Sequence, residues 1–159
     1  MKASKEFKVG KHAIGFINST FEKEFGDIEF GECPLPTFQK LPRNMNDAEI
    51  ESELKPGFCE LGDILAFLDN APDECKDGYA NLFYTPSFVV SVGWSSFGRG
   101  WGVSAWGRGG AGWRGGMRVF SPAGSFEPEN SDLGYSETLN LDQAINLVRS
   151  AGYKIFKEV

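Results

Sequence analysis

The stretch that decides the fold is Ser87-Phe88-Val89-Val90-Ser91-Val92-Gly93-Trp94-Ser95-Ser96-Phe97-Gly98-Arg99-Gly100-Trp101-Gly102-Val103-Ser104-Ala105-Trp106-Gly107. Phe88, Val90, Val92 and Trp94 alternate with Val89, Ser91, Gly93 and Ser95. This is the period-two signature of a strand with one face buried. Phe97-Gly98-Arg99-Gly100 is rich enough in glycine to turn the chain tightly. In the strand that follows, Trp101, Val103 and Ala105 share one face and Trp106 points to the other. A glycine-rich loop crosses Arg108 to Gly112. Trp113 to Ser121 then reads as a third strand. Its register puts Trp113, Met117 and Val119 with the core and Arg114, Arg118 and Phe120 opposite. Three strands joined by short glycine turns predict an antiparallel β-meander over residues 87–121.

Working outward, Asn46-Asp47-Ala48-Glu49 is a capping box. Asn46 can accept from the third helical amide while Glu49 reaches back. A short helix should run to about Leu54, where Pro56-Gly57 ends it. Ile64, Leu65, Phe67 and Leu68 form one apolar face of a second helix, Asp63 to Asn70. Asn81 to Tyr84 fits a short strand. Towards the C-terminus, Asn140 caps a helix over 140–151. Leu141, Ala144, Ile145 and Val148 form its stripe, and Gly152 sits at the C′ position. Tyr153 to Lys157 fits a closing strand. Residues 1–44 are less regular. Ala13 to Asn18 and Asp27 to Glu32 fit short strands, with a helical turn starting at Ser19/Thr20. Cys33-Pro34-Leu35-Pro36 and Leu41-Pro42 read as an extended connection. The expected whole is one α+β domain of 159 residues. In it an antiparallel meander carries a C-terminal helix packed on the sheet, preceded by one or two short helices.

The residues Phe58-Cys59-Glu60-Leu61-Gly62-Asp63-Ile64-Leu65-Ala66-Phe67-Leu68 resemble a pattern in uncharacterised proteins of uncultured bacteria and their mobile elements. So do Lys76-Asp77-Gly78-Tyr79-Ala80-Asn81-Leu82-Phe83-Tyr84 and Val119-Phe120-Ser121-Pro122. The resemblance spans roughly Leu41 to Pro122. It implies a compact intracellular domain and brings no activity with it.

Composition narrows the function classes. No run is long or apolar enough to span a bilayer. Met1 to Lys11 lacks the apolar stretch of a signal peptide, which points to the cytoplasm. The three cysteines, Cys33, Cys59 and Cys75, are odd in number and widely spaced, so no disulfide framework is expected. A Cys/His zinc site would need all three thiols and His12, the single histidine, with none of the usual ligand pairs; no metal and no cofactor are expected. The net charge of −6 argues against broad nucleic-acid affinity. Residues 78–126 are the exception, with four arginines and no acid.

That block holds the motifs worth weighing. Gly107-Arg108-Gly109-Gly110-Ala111-Gly112 spells G-x-G-x-x-G, but a dinucleotide site needs a helix to follow, and Trp113-Arg114-Gly115-Gly116 starts one poorly. Two Arg-Gly-Gly triplets at Arg108 and Arg114 suit single-stranded nucleic acid. They equally suit the turns and close packing of a sheet. All four tryptophans, Trp94, Trp101, Trp106 and Trp113, fall in the meander. Trp106 stands apart, among Ser91, Gly93, Gly102, Ser104, Arg114 and Arg118. Either it forms an exposed platform or residues 1–44 cover it, and the sequence leaves both open. Catalysis has less support. The clustered acids suit solvated surfaces, and Cys59 could be activated only through the nearby helix start.

The reading that fits best is a small non-enzymatic module. Trp106, Arg114, Arg118, Arg99 and Arg108 are its candidate contacts to a protein partner. Single-stranded nucleic acid on the same face is the alternative, and a carboxylate- or cysteine-based enzyme the third.

Overall fold

The computed structural model describes residues 1–109 and 112–124, all within the unit Met1–Phe126. The helix expected over 140–151 and the strand over 153–157 lie outside the described residues.

The strands are β1 Ile14–Ile17, β2 Thr37–Lys40, β3 Met45–Asn46, β4 Asn81–Tyr84, β5 Phe88–Ser95, β6 Gly100–Gly107, β7 Gly112–Trp113 and β8 Arg118–Ser121. Six of them form one mixed sheet in the order β1-β6-β5-β4-β8-β2, while β3 and β7 form a separate two-stranded ladder. This corrects the expected antiparallel meander. The β5–β6 hairpin is present, with Val90 opposite Ala105, Val92 opposite Val103 and Trp94 opposite Trp101. β4 joins it antiparallel, Phe83 facing Val90. The meander stops there because the far edge of β6 is taken. β1 pairs with it in parallel, setting Ile14 opposite Trp101 and Ile17 opposite Val103.

The third expected strand, Trp113 to Ser121, is broken in two. Gly116 has φ +94, and a Cβ on Gly115 would stand 3.0 Å from the Arg43 Cα, so the chain turns against that backbone. Trp113 joins β7, opposite Met45. β8 crosses to the other side of the sheet. There it lies parallel to β4 and antiparallel to β2, with Phe120 facing both Phe83 and Phe38. This register reverses the predicted faces of β8. Arg118 and Phe120 share the face of Phe83 and Val90, while Val119 joins Leu82 on the opposite face.

Two expectations for the first 44 residues also change. Asp27 to Glu32 contributes only a bridge between Glu29 and Lys2. The proline-rich connection contains β2, bounded by Pro36 and Pro42.

One face of the sheet is covered by three helices, α1 Ala3–Glu6, α2 Ser19–Phe25 and α4 Leu61–Asn70, which share a core cluster with β1, β4, β5, β6 and β8. The predicted stripe of α4 is buried as expected, at Ile64, Leu65, Phe67 and Leu68. Phe67 is its keystone, with ring centroids 5.4 Å from Phe83, 5.2 Å from Trp101 and 4.8 Å from Phe120. Burying each such side chain contributes about 1.5–3 kcal/mol. Asn18 caps α2 by accepting the Phe21 N–H at 2.9 Å. The same side chain accepts the Ala105 N–H at 3.1 Å and donates to the Ala105 carbonyl at 3.3 Å. One residue therefore starts a helix and prolongs the β1–β6 ladder.

The other face carries a second cluster, with Leu82, Tyr84, Val89 and Val119 from the sheet and Met45, Ile50 and Trp113 from outside it. Its cover is α3 Asp47–Glu53 and the β3–β7 ladder. The capping box forms as predicted. Asn46 accepts the Glu49 N–H at 2.8 Å, and Glu49 accepts the Asn46 N–H at 3.0 Å. No helix among the described residues is long and apolar enough to cross a membrane.

Candidate binding face

Opposite residues of an antiparallel pair share a face, so the β5–β6 register fixes what lies beneath Trp106. Ser91 faces Ser104, Gly93 faces Gly102, and Ser95 faces Gly100, all on the side away from α1, α2 and α4. Trp106 stands on that side opposite Val89 and is 49% exposed. Phe16 of β1 lies next to Gly102 and is 57% exposed. A Cβ placed on Gly102 would be 3.9 Å from the Phe16 ring, so the missing side chain leaves the aromatic edge open. The floor is thus glycine and serine, with Phe16 and Trp106 as posts four residues apart along β6. At about 3.3 Å per residue, the posts are separated by roughly 13 Å. A groove of about 360 Å³ runs beside Phe16 over Gly93, Gly98, Gly100 and Gly102.

The sequence left the cover of Trp106 open. Residues 1–44 pack against the other face through Ala3, Phe7, Phe21 and Phe25, and contribute β1 to the sheet edge. Leu41, with β3 and α3, covers only the β4–β8 half.

The predicted contact residues do not converge. Arg118 is on the opposite face from Trp106 and only 1% exposed. Its guanidinium donates to Asp77 Oδ2 at 2.7 Å and to Asn81 Oδ1 at 3.3 Å, and it also reaches the Glu74 carbonyl. Arg108 donates to Glu51 and, at 2.8 Å, to the Pro86 carbonyl, and lies 5.1 Å over the Phe58 ring. Arg99 is exposed in the β5–β6 turn with φ +49. Arg114 is exposed beside Asn44, Asn46 and Glu49. Neither Arg99 nor Arg114 forms an ion pair among the described residues. Trp113, assigned to the core of Trp101, is buried instead in the second cluster.

Residues outside the predicted set organise the rest. Asp47 is 2% exposed and accepts three hydrogen bonds, from the Tyr84 hydroxyl at 2.6 Å, the Trp113 indole at 2.8 Å and the Gly109 N–H at 2.6 Å. Its acidic position at a helix start is visible in the sequence; the partners, 37 to 66 residues away, are not.

Two enzymatic readings lose their footing. Burial, and then the nearby Asp63 carboxylate, pushes the Cys59 thiol far above its ordinary range, so the α4 start does not activate it. After the G-x-G-x-x-G motif, Gly112 opens strand β7 and not a helix, so the backbone amides of a dinucleotide site are missing. Comparison with protein families, curated proteins and solved structures finds no match to this chain.

Proposed function

We propose that this chain is a non-enzymatic interaction module that receives a protein partner on the half of its sheet, over β5, β6 and β1, that no helix among the described residues covers. The observation that carries this reading is the asymmetry of a single sheet face. Its β4–β8 half is sealed under α3 and β7, while its β6–β1 half presents Trp106 and Phe16 around a glycine and serine floor. Large aromatics beside small residues accept a partner's apolar side chains with little rearrangement, and tryptophan is enriched among residues that dominate binding energy. The charge pattern favours protein over nucleic acid. Two of the four arginines, Arg108 and Arg118, are already paired with Glu51 and Asp77. The remaining Arg99 and Arg114 lie in separate turns, whereas phosphate backbones are bound by clustered cations.

A photo-crosslinking amino acid at Ser104, in the floor, tests the proposal in the native host. The expected result is one discrete protein adduct that is lost on Phe16→Ala and on Trp106→Ala. The same probe at Glu24 of α2, on the helix-covered side, should give none. No adduct at Ser104, or one indifferent to both substitutions, would remove the proposal. A nuclease-sensitive adduct would replace it with the nucleic-acid reading.

A further inference from the structure

His12 lies in the turn between α1 and β1, where the backbone is forced. His12 has φ +51 and Ala13 φ +58, two consecutive non-glycine residues in the left-handed region. Such backbone is strained and persists only where its surroundings hold it there. They do: the Ala13 carbonyl accepts the Trp101 N–H at 2.8 Å, and the Ile14 N–H donates to the Lys11 carbonyl at 2.8 Å. The result presents the imidazole to two carboxylates from different helices. Nδ1 is 2.6 Å from Asp69 Oδ1 of α4, and Nε2 is 3.1 Å from Glu6 Oε1 of α1. The His12 and Glu6 side chains are only 20% and 22% exposed. Beside them opens a cavity of about 380 Å³, also lined by Met1, Glu32, Cys33 and Asn70.

We propose that this cavity is a binding site for a divalent transition metal ion of the zinc type, with His12 Nε2 and Glu6 as ligands and Asp69 orienting the imidazole. Bonds of about 2.0–2.2 Å to nitrogen and oxygen ligands place neighbouring ligand atoms roughly 3.0–3.5 Å apart, depending on coordination number. The 3.1 Å between His12 Nε2 and Glu6 Oε1 is such an edge. Asp69 supplies the other recurring element. Metal-bound imidazoles donate their second ring N–H to a carboxylate, which fixes tautomer and orientation. Charge agrees. Glu6 and Asp69 bring two carboxylates to one imidazole, with Lys11 Nζ 3.6 Å from the other Glu6 oxygen and Met1 also lining the cavity. His12 and Glu6 are the two protein ligands within reach, and the open side of the cavity leaves room for water to complete the coordination. A mixed nitrogen and oxygen set suits zinc, cobalt or manganese better than calcium.

The competing arrangement is an imidazolium held between two acids, which needs no metal. The two separate cleanly because His12 is the single histidine of the chain. Its ring signals in a ¹⁵N-labelled sample are therefore unambiguous. One equivalent of Zn²⁺ should shift Nε2 as the metallated nitrogen while Nδ1 stays protonated towards Asp69. Competition against a chromophoric chelator should show Zn²⁺ affinity falling about 10–100-fold in Asp69→Asn. Glu6→Gln should weaken it at least as much. Cys33 lines the same cavity, but its thiol clusters with Glu60 and Asp63 near the opposite end of α4, about 9 Å along the helix at 1.5 Å per residue, so Cys33→Ser should change affinity less than about two-fold. Ring signals unmoved by Zn²⁺, Co²⁺ and Mn²⁺ in the wild-type chain would overturn the proposal. So would binding that survives Glu6→Gln unchanged, or binding lost in Cys33→Ser.

Discussion

Asp47 accepts the Trp113 indole N–H at 2.8 Å across a separation of 66 residues, and the same oxygen takes the Tyr84 hydroxyl at 2.6 Å. The Gly109 N–H closes on its other oxygen. One carboxylate thus ties α3, the sheet and the β6–β7 connection together.

Removing it should be costly. Asp47→Ala leaves three donors without an acceptor, and a buried unsatisfied group costs about 1–3 kcal/mol. Urea denaturation should show a loss of about 3 kcal/mol or more, and Asp47→Asn, which keeps one acceptor, a smaller one. A loss below about 1 kcal/mol in the alanine variant would mean that the three bonds do not cooperate as described. Tyr84 adds a pH signature. Burial, and secondarily the Asp47 hydrogen bond, raises its phenol above the ordinary range. The proton is therefore held more tightly in the folded chain. That stability is complete below about pH 10, the unfolded tyrosine value, and is lost as pH rises further. Phenolate absorbance should show Tyr84 ionising only as the chain unfolds in alkali.

Arg118 and Asp77 make the opposite prediction at low pH. The Arg118 hydrogen bond holds the Asp77 carboxyl below its usual value. A depressed carboxyl contributes stability above its unfolded value of about 3.9, and that contribution disappears as pH falls through the folded value. Asp77→Asn should flatten the acid decline in stability. At neutral pH it should cost about 2 kcal/mol. That is less than the ~3–5 kcal/mol for breaking a fully buried pair, because Asp77 is 39% exposed and partly screened. An unchanged acid profile would assign the decline to other carboxyls.

Gly100 sets how closely β1 approaches. A Cβ there would stand 3.0 Å from the Ala13 carbonyl oxygen and 3.1 Å from the Gly15 nitrogen, both backbone atoms. Gly100→Ala should cost about 1–3 kcal/mol as an overpacked contact. It should also raise hydrogen exchange at Ile14 to Ile17. At Gly102, in the same strand, the nearest atoms are 3.8 Å and 3.9 Å away, so Gly102→Ala should be far milder. Equal effects at the two positions would remove the close approach as the reason.

The thiols should separate by accessibility. Cys33 is half-buried, while Cys59 and Cys75 are buried, and burial is the leading cause raising each of the three. A disulfide reagent under native conditions should modify Cys33 alone, and slowly, since only the thiolate attacks. Peptide mapping that finds Cys59 labelled before unfolding would contradict its packing.

What the sequence reveals follows the range of the interaction. The capping box at Asn46 and Glu49, the apolar stripe of α4 and the β5–β6 alternation are written within a few residues. The side of the sheet taken by Trp106 is legible for the same reason. The strand partners of β6 and β4 are not, because parallel neighbours are chosen by segments far along the chain. Local alternation therefore places β8 beside β6, whereas it lies between β4 and β2, where the register set by those partners inverts its faces. Pairing β8 with β4 and β2 in place of β6 puts Arg118 on the helix-covered face, in a buried pair. His12 gave no local signal because Asp69 is 57 residues away.

The parallel pairing of β1 with β6 also imposes an order in time. Ile14–Ile17 leaves the ribosome long before its partner Trp101–Val103 exists. At about 5–20 residues per second, the wait is several seconds. Through that interval Phe7, Ile14, Phe21 and Phe25, all buried in the finished fold, have no sheet to cover. The surface they cover in the finished fold includes Val90, Val92, Trp101, Val103 and Ala105 of the β5–β6 hairpin. A nascent chain whose β6 has not yet emerged from the ribosome therefore offers an unshielded aromatic cluster to chaperones, and one whose Ser121 has emerged does not.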